Sequence, residues 1–222
     1  MLNTIYTAFM QFLFPSHCPS CNAYVEQEGQ WCKSCLEKIM RNKNLAYDND
    51  VRQYISPVFA MSKYDEGMRH LIHQLKFQRK LSALAYINTV VNASDLIWYA
   101  SMYDLIIPVP LHPSKLKQRG FNQVDKIFAP WAKEHNFTYA DILERSKQTK
   151  SQYSLNKNER HQNLASAFRL KAQSKIELNN RKCLLVDDIF TSGTTLKNCA
   201  QVLLNNGATT VSGLVLASQA DD

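Results

Sequence analysis

Two adjacent carboxylates, Asp187 and Asp188, precede the hydroxyl-rich turn Thr191-Ser192-Gly193-Thr194-Thr195, and no other residues of this chain are better suited to chemistry. They close the apolar run Lys182-Cys183-Leu184-Leu185-Val186, which has the continuous hydrophobicity of a buried parallel strand. In open α/β sheets ligands bind beyond the C-terminal ends of strands, where these acids are expected to stand. Paired acids there suit vicinal ribose hydroxyls, directly or through Mg²⁺, and the free N–H groups of a helix opening at Thr194 suit a phosphate. An ordinary strand, turn and helix cap explains the threonines but not two unpaired carboxylates.

The second constellation is Cys18-Pro19-Ser20-Cys21 followed, ten residues on, by Cys32-Lys33-Ser34-Cys35. Four thiolates at Cys18, Cys21, Cys32 and Cys35 satisfy the closed tetrahedral shell of structural Zn²⁺ and leave no position open for catalysis. Two disulfides are the competing reading, but no secretory signal precedes the cysteines, so zinc is expected. Too few apolar residues lie between Cys18 and Cys35 for an independent core, and the metal has to staple the segment. Cys183, inside the apolar strand, and Cys199, on the following helix, are expected to be buried, inert thiols.

These residues need elements to position them. Met1 to Phe14 is uncharged, with Leu2, Ile5, Phe9, Phe12 and Leu13 near one helical face. It is too short to span a membrane, so no integral membrane segment is expected. A helix packed on the protein is favoured, with peripheral contact at the inner membrane face as the alternative. Strands are expected at Val58–Tyr64, Asp104–Val109, Tyr139–Leu143, Ala167–Leu170, Lys182–Asp187 and Thr209–Leu216, with Asp104–Val109 as the first central strand and Thr209–Leu216 closing the sheet. Helices are expected from Asp65 to about Phe77, from Ser82 to Trp98 and from about Asn122 to His135. The alternation implies an α/β fold, a doubly wound parallel sheet with right-handed crossovers. The organisation read from it is a zinc-binding module over 1–50 and an α/β domain over 51–222.

The net charge of +7 is unevenly placed. Between Leu111 and Arg181 there are fourteen Lys and Arg against six Asp and Glu, so the rest of the chain sums to minus one. Such a field favours phosphorylated ligands or a nucleic-acid backbone. The loop expected after the first central strand, residues 108–123, carries Lys115, Lys117 and Arg119 towards the same crevice as the acids. A second polar stretch, Arg145 to Arg160, with Lys147, Lys157 and Arg160, reads as either a plain connection or a lid over a diphosphate.

Four apolar residues, two acids, two variable residues and Thr191 to Thr195 resemble the signature of type I phosphoribosyltransferases. That resemblance implies binding of 5-phosphoribosyl-1-pyrophosphate (PRPP), with Asp187 and Asp188 at the ribose or its Mg²⁺ and Thr191, Ser192, Gly193, Thr194 and Thr195 around the 5-phosphate. Val109-Pro110-Leu111-His112-Pro113, Arg119-Gly120-Phe121-Asn122-Gln123, Gln148-Thr149 to Gln152, Asn158-Glu159-Arg160 to Asn163, Leu75-Lys76-Phe77 and the four cysteines together resemble the ComF family. The likeness spans about Phe14 to Leu216. It implies a diphosphate or lid role for Arg119, Lys115, Lys117, Lys147, Lys157 and Arg160, although this chain has lysines where the family's lid is usually richer in arginine.

The family resemblance implies a cytoplasmic competence protein that binds PRPP and assists uptake of transforming single-stranded DNA, working with a helicase-like partner. Two other classes compete. One is an active phosphoribosyltransferase with an unidentified acceptor. The other is an adaptor in which Trp31 and the N-terminal helix dock a protein. No acceptor pocket or general base is legible, and His112 and His161 read as solvated loop residues.

Overall fold

The structure is a computed structural model that describes residues 15–145 and 167–219. The expected N-terminal helix and the 146–160 part of the expected lid, including Lys147, Lys157 and Arg160, lie outside the described residues.

The chain opens with a short antiparallel pair, β1 (Ser16–His17) and β2 (Tyr24–Val25), and α1 (Lys33–Ile39). It continues through β3 (Met40–Asn44), α2 (Asn49–Arg52) and β4 (Val58–Lys63). Next come α3 (Glu66–His73), a π-helical turn at Gln74–Gln78, α4 (Ala83–Asn92) and α5 (Ile97–Ala100). β5 (Leu105–Pro108), α6 (Pro113–Arg119) and α7 (Gln123–Glu134) follow. The hairpin strands β6 (Leu143–Arg145) and β7 (Phe168–Leu170) precede β8 (Lys182–Phe190), α8 (Thr194–Asn205) and β9 (Thr210–Ser218).

The main sheet has the order β3-β4-β9-β8-β5. β4, β9, β8 and β5 are parallel and β3 pairs antiparallel with β4, so the expected all-parallel sheet is mixed at one edge. Two expected positions are reversed. The last strand, β9, is the central one, and β5 lies at the end of the order, extended only by an isolated bridge from Ile106 to Tyr139. The strand expected at Tyr139–Leu143 reduces to that bridge and the start of β6.

Side chains alternate across the sheet as strand geometry requires. Ile106, Leu184, Val186, Leu214 and Leu216 pack on one face with α3, α4, α7 and Trp31 of the cysteine segment. Leu105, Ile107, Cys183, Leu185 and Val215 pack on the other, with α2, the β6-β7 hairpin and α8. Three layers result, with both sheet faces covered, which is why the strand sequences read as unbroken apolar runs. The helix expected over Ser82–Trp98 breaks after Asn92, where buried Ser94 donates to Asn42 Oδ1 at 2.8 Å and accepts from the Leu96 amide. Serine competing for the backbone in this way ends helices.

Candidate functional site

β8 does not stop at the acids. It pairs with β5 only as far as Pro108↔Val186, yet stays in register with β9 through Phe190↔Ser218. Asp187 and Asp188 therefore occupy the first residues of β8 whose β5 side is free of a strand, and the vacated edge faces the segment leaving β5. Successive strand residues point to opposite faces, and the acids divide accordingly. Asp188, 4% exposed, turns to the α3 face. There its Oδ2 lies 2.6 Å from Lys76 Nζ in a charge contact that lacks hydrogen-bond alignment. Asp187 turns towards α8, where its charge helps to raise the Cys199 thiol, whose shift comes first from burial. The Asp188 amide donates to Asp187 Oδ1 at 2.8 Å. Burial, then the neighbouring Asp188 charge, holds the Asp187 carboxyl well above the usual carboxylate range.

The segment after β5, expected to be a loop, contains α6. His112 accepts the Ser114 amide at its N-cap, Pro113 opens the first turn, and Gly120 closes the helix at φ +86°. Each residue of Arg119-Gly120-Phe121-Asn122-Gln123 then has a mechanical reason. Gly120 takes the left-handed turn, and Phe121 packs on the core. Asn122 caps α7 through Val124 N and donates to the Val109 carbonyl at 3.1 Å, which ties the helix to the end of β5. Arg119, 8% exposed, donates to Gln123 Oε1 and lies 6.0 Å over the Phe77 ring. Burial lowers the Arg119 pKa, and the Asp188 charge opposes that shift.

A pocket of about 260 Å³ opens here, lined by Lys76, Phe77, Arg79, Leu111, Lys115, Gln118, Arg119 and Gln123. Among the described residues, four cations and no carboxylate form the lining. Lys76, Phe77 and Arg79 reach it because α3, capped by Asp65, widens into the π-helical turn, a feature common at functional sites. Arg79 ends the turn in the left-handed region, φ +55°, and its guanidinium donates to the Gln118 carbonyl. Of the expected diphosphate residues, Arg119 and Lys115 line the pocket, whereas Lys117 is exposed on α6 outside it. Arg145 ends β6 against the Phe168 ring, 5.2 Å from its centroid.

Lys76 was legible in sequence only as part of Leu75-Lys76-Phe77. Its pairing with Asp188 spans 112 positions and needs the fold.

Thr191, Ser192, Thr194 and Thr195 are exposed at the head of α8, outside the pocket lining. Ser192 Oγ lies 2.9 Å from Thr194 Oγ1 and accepts a long, 3.5 Å contact from the Thr194 amide, while Gly193 at the N-cap offers no side chain. Gly193 holds φ +74°, and a Cβ there would meet Val51 Cγ1 at 2.9 Å and Phe190 Cζ at 3.0 Å. Only glycine satisfies both demands. The candidate site thus straddles the end of the sheet, with Asp188, Lys76 and the cationic pocket on one face and Asp187 and the hydroxyl turn on the other.

The sulfurs of Cys18, Cys21, Cys32 and Cys35 lie within 4.8 Å of one another, with Cys21 and Cys32 3.6 Å apart. Tetrahedral Zn²⁺ with bonds of about 2.3 Å sets sulfurs roughly 3.8 Å apart, whereas a disulfide needs about 2.05 Å. The donor set therefore fits structural zinc and not two disulfides. Burial pushes the Cys18 thiol up, but hydrogen bonds from backbone N–H groups of Cys21, Cys32 and Ser20 outweigh it and bring the thiol down to about 7. Burial and the neighbouring cysteines push the Cys35 thiol up to about 12. Cys183 and Cys199 are buried as expected, and burial raises Cys183 to about 12.

Trp31 is not available to a partner in the way the adaptor reading requires. It is 6% exposed, and its Nε1 donates to the Tyr86 carbonyl at 3.0 Å.

A doubly covered, largely parallel sheet with this acid pair, this glycine turn and a four-cysteine ribbon defines a phosphoribosyltransferase-fold protein with a zinc-binding appendage. The Phosphoribosyl transferase domain family matches residues 124–222 and the Double zinc ribbon domain family matches residues 9–45. Competence protein F of Haemophilus influenzae is 31% identical over 203 residues, which cover 87% of this chain and 80% of that one. DNA utilization protein YhgH of Shigella flexneri is 30% identical over 199 residues, with the same coverage. Competence protein ComFC of Streptococcus pneumoniae is 26% identical over 193 residues, 86% of this chain and 82% of that one. The chain belongs to the ComF family. No helix among the described residues is long and apolar enough to cross a membrane.

Proposed function

We propose that this protein binds PRPP, or a closely related phosphorylated ribose, at the end of β8 and serves the uptake of transforming DNA. One observation carries the ligand reading: the acid at Asp188 opens, through Lys76, onto a pocket lined, among the described residues, by four cations and no carboxylate. Asp187 and Asp188 hold the ribose hydroxyls or a Mg²⁺ bound to them, and the buried Asp188 Oδ2, which lacks an aligned hydrogen bond, fits such a role. Thr191 to Thr195 receive the 5-phosphate at the head of α8, where the N-cap Gly193 has no side chain to compete for the amides. Arg119 and Lys115 take the diphosphate. The role in DNA uptake, with single-stranded DNA and a helicase-like partner, draws its support from relatives named for competence and DNA utilization.

The four cations among the described lining residues support anion binding. Turnover with a nitrogen acceptor is the second activity to screen. The test is calorimetric titration of the purified protein with PRPP and Mg²⁺, beside the double variant Asp187→Asn, Asp188→Asn. Binding in the micromolar range that the variant loses supports the reading, and wild-type protein that takes up no PRPP refutes it. A chromosomal copy of the double variant is expected to lower transformation frequency.

A further inference from the structure

Lys76 touches two things that a ligand would occupy separately. Its ammonium is 2.6 Å from Asp188 Oδ2, and the same side chain lines the pocket shared with Arg79, Lys115 and Arg119. The Lys76 side chain is 19% exposed and that of Asp188 is 6% exposed, so the pair is largely withdrawn from solvent, where a charge contact is strong and an unpaired charge costly. One ammonium cannot neutralise Asp188 and an anion in the pocket at full strength together. Resting on the reading of the pocket as an anion site, we propose that Lys76 is an exchangeable counter-ion. It belongs to Asp188 in the ligand-free protein and is released to the pocket anion when Asp188 acquires another partner, a divalent cation or ribose hydroxyls.

This makes occupation of Asp188 and occupation of the pocket mutually favourable. The coupling is a linkage between two sites through one shared charge and acts equally in both directions. A ligand that presents hydroxyls and a diphosphate together gains the whole effect, whereas free diphosphate meets a pocket whose fourth cation is engaged elsewhere. Lys76 is in this sense a positioning residue and a specificity determinant for the intact, metal-bound ligand over its leaving group. The geometry suits exchange, because the contact with Asp188 is short but lacks hydrogen-bond alignment. Arg119 cannot substitute, since its guanidinium is held by Gln123 and the Phe77 ring.

A double-mutant cycle read by inorganic diphosphate binding to the zinc-loaded protein, in buffer with no added Mg²⁺ and no chelator, tests this. Asp188→Asn is expected to tighten diphosphate binding about fivefold or more by freeing Lys76. In a Lys76→Met background the same change should give almost no gain. In an Arg79→Met background, which removes a pocket cation not paired with Asp188, the gain should persist, because that change is independent of the exchange. An equal gain in the Lys76→Met background would mean that Asp188 acts only through its field and would overturn the proposal. Absence of diphosphate binding by every variant would instead overturn the anion-site reading beneath it.

Where Asp188→Asn fails to fold, amine labelling of the wild-type protein, read by mass spectrometry, decides the matter. Mg²⁺ alone should raise modification of Lys76, and added diphosphate should suppress it. Labelling that responds to neither overturns the exchange.

Discussion

The indole of Trp31 sits so close to Gly67 that a Cβ on Gly67 would lie 3.0 Å from two of its ring carbons and 2.9 Å from Ser20 Cβ. The first turn of α3 and the cysteine segment thus meet without room for a methyl group, and Thr89 Oγ1 adds a 2.7 Å hydrogen bond to the Gly29 carbonyl from α4. Gly67→Ala is expected to cost about 1–3 kcal/mol through overpacking. The gain in helix propensity is small beside this, because Gly67 lies in the first turn. Urea unfolding measures the loss, and an unchanged midpoint would show that the contact yields without strain.

Zinc removal should act on the whole molecule. Cys18 and Trp31 belong to the same apolar cluster as α3, α4 and α7. Metal analysis is expected to find one Zn²⁺ per chain. Chelation should lower the melting temperature by about 10 °C or more, in a single transition, since loss of a structural zinc removes several kcal/mol of folding energy. Two separate transitions, with the α/β part unmoved, would argue that the ribbon melts alone.

Asp187 makes stability pH-dependent in an unusual direction. Its carboxyl is raised by burial and by Asp188, so between the unfolded carboxylate range and the raised folded value the native state binds more protons than the unfolded chain. Stability contributed by this group is therefore present at low pH and lost as pH rises through the folded value. Asp187→Asn should be more stable than wild type near neutral pH, with the advantage shrinking towards pH 4. Unfolding curves at several pH values check the sign, and an advantage that grows on acidification would contradict an upward shift of this carboxyl.

Arg119→Lys keeps the charge and removes the planar fork. Diphosphate affinity is expected to fall about tenfold, the equivalent of one charge-assisted hydrogen bond. Competition binding against a fluorescent phosphate ligand reads the change, and wild-type affinity in the variant would place the anion elsewhere.

What the sequence disclosed was what spacing encodes. The two cysteine pairs, the acids before Gly193 and the helix starts at Asp65 and Asn122 are all local signals; the cysteines converge and both helices begin where expected, while the strand that carries the acids runs on past them. α6 was available too, since Pro113 and Gly120 bracket it with the usual proline-first, glycine-last asymmetry, but the lysines between them read as loop. Strand order was out of reach. β9 is central because it pairs with β4 and β8 at once, a non-local fact that periodicity does not carry. Continued pairing of β8 past Asp188 has the same origin. The division of the acids between two faces follows from strand period once that continuation is known.

α3 and its widened last turn run from Gly67, pressed by Trp31, to Lys76, poised on Asp188. The zinc ribbon is the fixed end of a short beam whose working tip is an ammonium group. Loss of the metal would loosen the contact of Trp31 with Gly67, and with it the anchorage of the helix that carries Lys76 to the candidate site.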